Sequence, residues 1–284
     1  MPVMEAAKLP ITDDHLHLNP LRGRGIEAIK EFRNAGGTHV FIVSLPASEM
    51  GMGIHSAQSY HELYNQTINV VRQANEYVHA FAVLGVHPAE FVGLAETMGI
   101  EQAYQVVREG LEVAAKYVAE GKAVAMKSGR PHYPVSPELW ERSNALMRYA
   151  MDLCVDEDCA LQLHTESEPG TFESISAIAR EEHLPAHRTI KHFSPPAVKE
   201  CESLNVFPSV IAGKGALEEA LSQGTRFMME TDYCDDPERP GAVLGPKTVP
   251  RKTKEAIRNG VSEEIFFKIH KENPEKCYGV KIEL

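Results

Sequence analysis

Ile11-Thr12-Asp13-Asp14-His15-Leu16-His17-Leu18 is an apolar run that closes on His-x-His. Residues two apart on a strand point to the same face, so His15 and His17 would stand side by side as half of a metal site. Three later runs close on the same kinds of side chain: Leu161-Gln162-Leu163-His164, Thr189-Ile190-Lys191-His192 and Phe227-Met228-Met229-Glu230-Thr231-Asp232. In chain order the set is His-x-His, His, His, Asp.

Short apolar runs bounded by turn residues recur at 11–17, 38–45, 80–86, 123–127, 160–164, 189–192, 206–210 and 226–232. Amphipathic stretches of helical length separate them, at 25–34, 57–77, 101–120, 137–156, 171–182, 196–204 and 216–223, and residues 262–284 read as a final helix with a short ending. Alternating strands and helices build a parallel sheet from βα units. Eight such strands predict an α/β fold, a single closed (β/α)8 TIM barrel. No linker, composition shift or internal repeat divides the 284 residues, which the expectation treats as one domain, 1–284.

A net charge of −11 argues against nucleic-acid binding driven by overall charge, although a local basic patch could still engage phosphates. Cys154, Cys159, Cys201, Cys234 and Cys277 are odd in number and form no C-x-x-C pair, which reads as reduced cysteines in a cytoplasmic protein. Residues 1–10 hold no apolar core of signal-peptide length, and no stretch approaches the roughly 18 to 20 apolar residues of a membrane span. The expected localisation is cytoplasmic, without a membrane partner. The oligomeric state is not indicated.

Barrel active sites form at the C-terminal ends of strands. The candidates sit there in sequence: His15 and His17 close the first run, Lys127 the fourth, His164 the fifth, His192 the sixth and Asp232 the eighth. Neutral imidazoles and a carboxylate suit zinc, manganese or magnesium, and one or two such ions with an open position would bring a water toward neutral pKa for hydrolysis. The alternative is a set of structurally satisfied histidines and a capping aspartate; five ligand-type residues at four strand ends weigh against it.

At these residues the chain resembles the TatD-like metal-dependent hydrolases of the amidohydrolase superfamily, over nearly its whole length. Asp13 to Leu18 is similar to the family's D-x-H-x-H-L, Gly85-Val86-His87-Pro88 to its G-x-H-P and Glu230-Thr231-Asp232 to its E-T-D, while Glu272-Asn273-Pro274 is only weakly similar to its N-x-x-x-x-F region. The resemblance implies that His15, His17, His164 and His192 are metal ligands, that Asp232 is a ligand or the base that orients water, and that His87 lies close to the metals and contacts substrate. A turn histidine fixed by Pro88 is the other reading of His87. Lys127-Ser128-Gly129-Arg130-Pro131 stands where the family has G-E-x-G-L-D, so Lys127 replaces a metal-bridging glutamate. An ammonium there would repel divalent ions, reducing the site to one metal or impairing it. A neutral amine could instead take up CO2 as a carbamate, as in the phosphotriesterase-like branch that this position resembles, or a free amine could serve a substrate anion.

Arg130 and His132 follow Lys127 in a loop expected over the mouth, where they could bind a phosphate or carboxylate. Glu166 is a candidate second carboxylate, whereas Glu168 reads as favouring a helix start. Lys247, Arg251, Lys252 and Lys254 form a basic cluster after the eighth run, suggestive of a nucleotide or nucleic-acid substrate or simply a solvated face. No phosphate-binding loop, dinucleotide fingerprint or serine-nucleophile elbow is present. Met126, Met228 and Met229 read as core filling.

The leading expectation is a metal-dependent hydrolase acting on phosphodiesters, including DNA ends. A phosphotriesterase- or lactonase-like enzyme for small esters, lactones or amides is the alternative. A non-catalytic metal-binding barrel is the alternative of another class.

Overall fold

The computed structural model describes residues 9–239 and 241–284; residues 1–8, most of the stretch read above for a signal peptide, lie outside it. Eight βα steps follow one another. The strands are β1 (Thr12–His17), β2 (His39–Val43), β3 (His79–Gly85), β4 (Ala125–Gly129), β5 (Ala160–His164), β6 (Thr189–Ser194), β7 (Phe207–Ile211), β8 (Met228–Glu230) and β9 (Tyr233–Cys234). All ladders are parallel, in the order β8-β7-β6-β5-β4-β3-β2-β1-β9.

The eighth run divides into β8 and β9, separated by Thr231 and Asp232. Its first half pairs with β7 and its second with β1, so one interrupted strand supplies both edges and the ring closes as the barrel expected from the sequence. Asp232 N–H donates to the His15 carbonyl at 3.0 Å across this seam, and the Asp13 carboxylate accepts from Thr231 N–H at 3.0 Å and Thr231 Oγ1 at 2.7 Å. Asp232 has φ +46°, a left-handed turn that aspartate tolerates better than bulky residues.

The helices are α1 (Ile26–Ala35), α2 (Ala57–Ala74), α3 (Pro88–Met98), α4 (Ile100–Ala119), α5 (Pro137–Asp156), α6 (Thr171–Glu181), α7 (Val198–Ser203), α8 (Ala216–Gln223), α9 (Thr248–Arg258), α10 (Glu263–Phe267) and α11 (Asn273–Tyr278). α3 has no counterpart among the amphipathic stretches read from the sequence; its start is set by His87, whose Nδ1 accepts from Ala89 N–H at 3.1 Å, and by Pro88 in the first turn. The tail is α10 and α11 joined by a wide turn at Lys268–Glu272, rather than one helix. Two strands run past the expected ends: Lys127 lies two residues before the end of β4, and His192 two before the end of β6.

Met126 and Met229 pack between sheet and helices, and Met228 inside the ring, so all three fill core. All five cysteines are free. Among the described residues no helix is long and apolar enough to cross a membrane.

Candidate metal centre

Inside the ring, the lower layer is apolar: Phe41, Val83, Ala125, Ala160, Ile190, Phe207 and Met228, closed below by Tyr278. One step of two residues along a strand changes that character. Ala125 leads to Lys127, Ala160 to Gln162 and then His164, Ile190 to His192, Phe207 to Ser209 and Met228 to Glu230, all toward the C-terminal ends. Glycine lets the strand ends converge there: a Cβ on Gly85 would collide with the Lys127 carbonyl, and one on Gly129 with that of His164.

The centre lies on this polar layer. His15 Nδ1 donates to Gln162 Oε1 at 2.7 Å, and the amide is held in that orientation because its Nε2 donates to the Asp14 carbonyl at 3.0 Å. His17 Nδ1 donates to the Val43 carbonyl at 2.9 Å. With both Nδ1 atoms engaged as donors, the two Nε2 atoms present lone pairs toward each other, 3.1 Å apart. Burial, reinforced by Lys127, holds both rings well below the usual histidine range, so they stay neutral. Facing lone pairs repel unless a cation or a proton donor stands beside both. Lys127 Nζ is 3.4 Å from each of them, and Asp232 Oδ1 is 3.7 Å from each.

His192 stacks on His15 with centroids 3.6 Å apart, and His15, His192 and Asp232 offer ligand atoms within 4.8 Å of one another. Buried Glu230 takes the His192 Nδ1–H at 2.8 Å, which leaves His192 Nε2 free as a ligand. Burial raises Asp232 to about 6, an effect partly offset by Lys127 and Lys191. Burial lowers Lys127 to about 8, against the pull of Asp232 and Glu230. Neutral imidazoles and a carboxylate are a donor set that fits a divalent ion, and burial makes the Lys127 amine easier to deprotonate than an ordinary lysine.

The other expected residues divide. His164 turns to His132, with 2.9 Å between His164 Nε2 and His132 Nδ1, and its ring lies 4.2 Å from that of His87 and 5.5 Å from that of His192. His87 caps α3 and also lines the mouth. Burial lowers it to about 3. These three histidines, Lys127, His192 and Asp232 line one cavity of about 710 Å³ at the mouth.

Arg130 does not reach that cavity. Its guanidinium is buried and bound to Glu166 through Nε at 2.8 Å and through Nη2, while Nη1 donates to Asn144 Oδ1 and Ser174 Oγ, both at 3.0 Å; the face lies over Trp140. The expected role of Arg130 in substrate binding is corrected accordingly, because its donors already serve the protein, and Glu166 is its counter-ion. Glu168 precedes α6, whose first turn carries Glu173 instead. The basic cluster also moves from the mouth to α9: Lys247 pairs with Glu31, Lys252 with Glu255, and Lys254 caps the last carbonyls of α1 through Ala35 O at 2.6 Å.

Gln162, Glu230 and Lys191 were not singled out from the sequence. Lys191 is buried and donates to the carbonyls of His192 at 2.7 Å and Thr165 at 3.3 Å, tying the end of β5 to β6. For Gln162 and Glu230 a signal existed: each lies two residues before a candidate ligand, His164 and Asp232, on the face those residues share.

A family model described as TatD related DNase matches residues 12–279. An uncharacterised protein of Methanocaldococcus jannaschii is 38% identical over 281 residues, covering 97% of this chain and 98% of the relative. Among solved structures, a TatD-like protein from Archaeoglobus fulgidus matches with TM-score 0.61 at 15% identity, over 95% of this chain and 100% of that one. The phosphotriesterase homology protein from Escherichia coli, complexed with phosphate in its active site, matches with TM-score 0.62 at 13% identity, over 95% and 99%. A mutant organophosphorus hydrolase from Deinococcus radiodurans gives TM-score 0.62 at 15% identity, over 96% and 94%. At such identities these structures are alike in fold.

Proposed function

The chain belongs to the TatD-related DNase family, and from that premise we propose that it is a metal-dependent hydrolase of phosphoesters, with phosphodiesters such as DNA ends as the leading substrate class and a small molecule or nucleic-acid end as its binding partner. The observation that carries this reading is the pair of lone pairs on His15 and His17, 3.1 Å apart and fixed in direction by Gln162 and Val43. His15, His17, His192 and Asp232, with His164 and Lys127 at the margin, would hold one or two ions, zinc foremost and manganese or magnesium after it. When bound, such an ion lowers the pKa of a water and polarises the phosphoryl group.

The remaining steps belong to the chain. Asp232, raised to about 6, is ionised near neutral pH and accepts the proton of the attacking water at Oδ1. His87 has its Nδ1 occupied by Ala89 N–H, so its Nε2 carries the hydrogen and donates to a substrate oxygen in the mouth. His132, exposed beside His164, binds the departing end. Lys127 acts as its carbamate: the neutral amine adds CO2 and releases one proton, which places a carboxylate where an ammonium would oppose the ions.

Asp232→Asn is expected to lower phosphodiesterase activity by about 10²-fold or more while leaving the circular dichroism spectrum in place. Full activity in this variant would overturn the mechanism. The buried lysine in place of a carboxylate supports the second reading, a phosphotriesterase- or lactonase-like enzyme, and assaying lactones alongside phosphodiesters separates the two.

A further inference from the structure

Phe193 departs from ordinary packing in two ways. Its φ is +51°, a left-handed backbone that glycine or asparagine enters freely and a bulky side chain does not, and the residue is 42% exposed. The backbone half has a local cause. The β6–β7 ladder shifts register between Lys191 and Ser194, and the turn at Phe193 sends its N–H to Glu230 Oε1 at 2.9 Å, the oxygen that also holds His192. Any residue supplies that N–H, and glycine would do so without strain. The ring itself is accounted for by neither the turn nor the core. It stands 6.0 Å from the His192 ring, inclined at 68°, and lines the mouth cavity together with Leu45, Pro46, Ala242 and Val243.

We propose that Phe193 is a specificity-determining residue: an aromatic platform on which a planar apolar group of the substrate, an aryl ring or a nucleobase, stacks beside the scissile phosphoester. Exposed aromatic faces next to a polar reaction centre recognise planar groups without reading their hydrogen-bonding edges. The platform selects for an aromatic neighbour of the phosphorus and not for base identity. It rests on the hydrolase reading above and deepens it.

The test is calorimetric titration of the zinc-loaded protein with phenyl phosphate and with methyl phosphate. The wild type is expected to bind phenyl phosphate about tenfold more tightly than methyl phosphate. Phe193→Gly is expected to abolish that preference, to keep the affinity for methyl phosphate, and to melt at or above the wild-type temperature because the strain is relieved. Phe193→Asn, which also tolerates the left-handed backbone, should behave alike. A preference for phenyl phosphate that survives both substitutions, or equal binding of the two ligands by the wild type, would overturn the platform alone. A large drop in melting temperature would show the ring to be a packing residue and overturn it as well. Failure of the wild type to bind either phosphate would remove the hydrolase reading and the platform together.

Discussion

Glu230 shapes the centre without entering the mouth. It is fully buried, and one of its oxygens receives both the His192 ring N–H and the Phe193 backbone N–H. A carboxylate on the far nitrogen of an imidazole fixes its tautomer and raises its basicity, and losing such a partner typically weakens metal binding by about 10–100-fold. Glu230→Gln is therefore expected to weaken zinc binding by that factor with little change in fold, read by competition with a chromophoric chelator; unchanged affinity would show that His192 is not a ligand. The candidate ligand residues themselves were legible because His-x-His and E-T-D are local patterns. The direction of each nitrogen was not, since it depends on partners 147 residues away for His15 and 38 for His192.

Elements decide which side chains arrive at the mouth. β4 and β6 each extend two residues beyond their apolar runs because a polar inward-facing residue does not end a strand whose ladder continues, and sequence polarity marks only the first. Arg130 shows the complementary effect: its position after β4 suggested the mouth, but Glu166, Asn144 and Ser174 draw it between α5 and α6. At the opposite end of the barrel, His270 joins β1 to α9. Its Nδ1 accepts from Thr12 N–H at 3.2 Å, and its Nε2 faces Thr253 Oγ1 at 2.8 Å. Burial lowers it from 6.5 to about 3. The unfolded chain thus takes up this proton first, so the stabilisation is complete above pH about 6.5 and is lost as pH falls toward 3, on the order of 5 kcal/mol over the window. His270→Gln should flatten the fall in urea midpoint between pH 7 and pH 4.5; an acid limb as steep as in the wild type would contradict the assignment.

At the scale of the molecule, the alternation of strands and helices made the barrel readable, whereas the division of the eighth strand was not, because the turn at Thr231 and Asp232 is held across the seam by Asp13 and His15 of β1. The facing lone pairs of His15 and His17 are a cost that an ion would remove, so a divalent ion held there would favour the folded chain over the unfolded one. At free zinc 100 times its dissociation constant the gain is about 2.7 kcal/mol, a rise of roughly 5 °C in melting temperature that chelation should reverse in differential scanning calorimetry. Identical melting with and without zinc would argue against a resident ion. The seam between β1 and the eighth strand also bears on synthesis. His15 and His17 are made well before Asp232, and the hydrogen bond from Asp232 to His15 closes the ring and completes the centre together. A nascent or truncated chain that stops short of this seam holds the four candidate ligand histidines, His15, His17, His164 and His192, yet has no assembled centre, so the site comes together only once the eighth strand has been made.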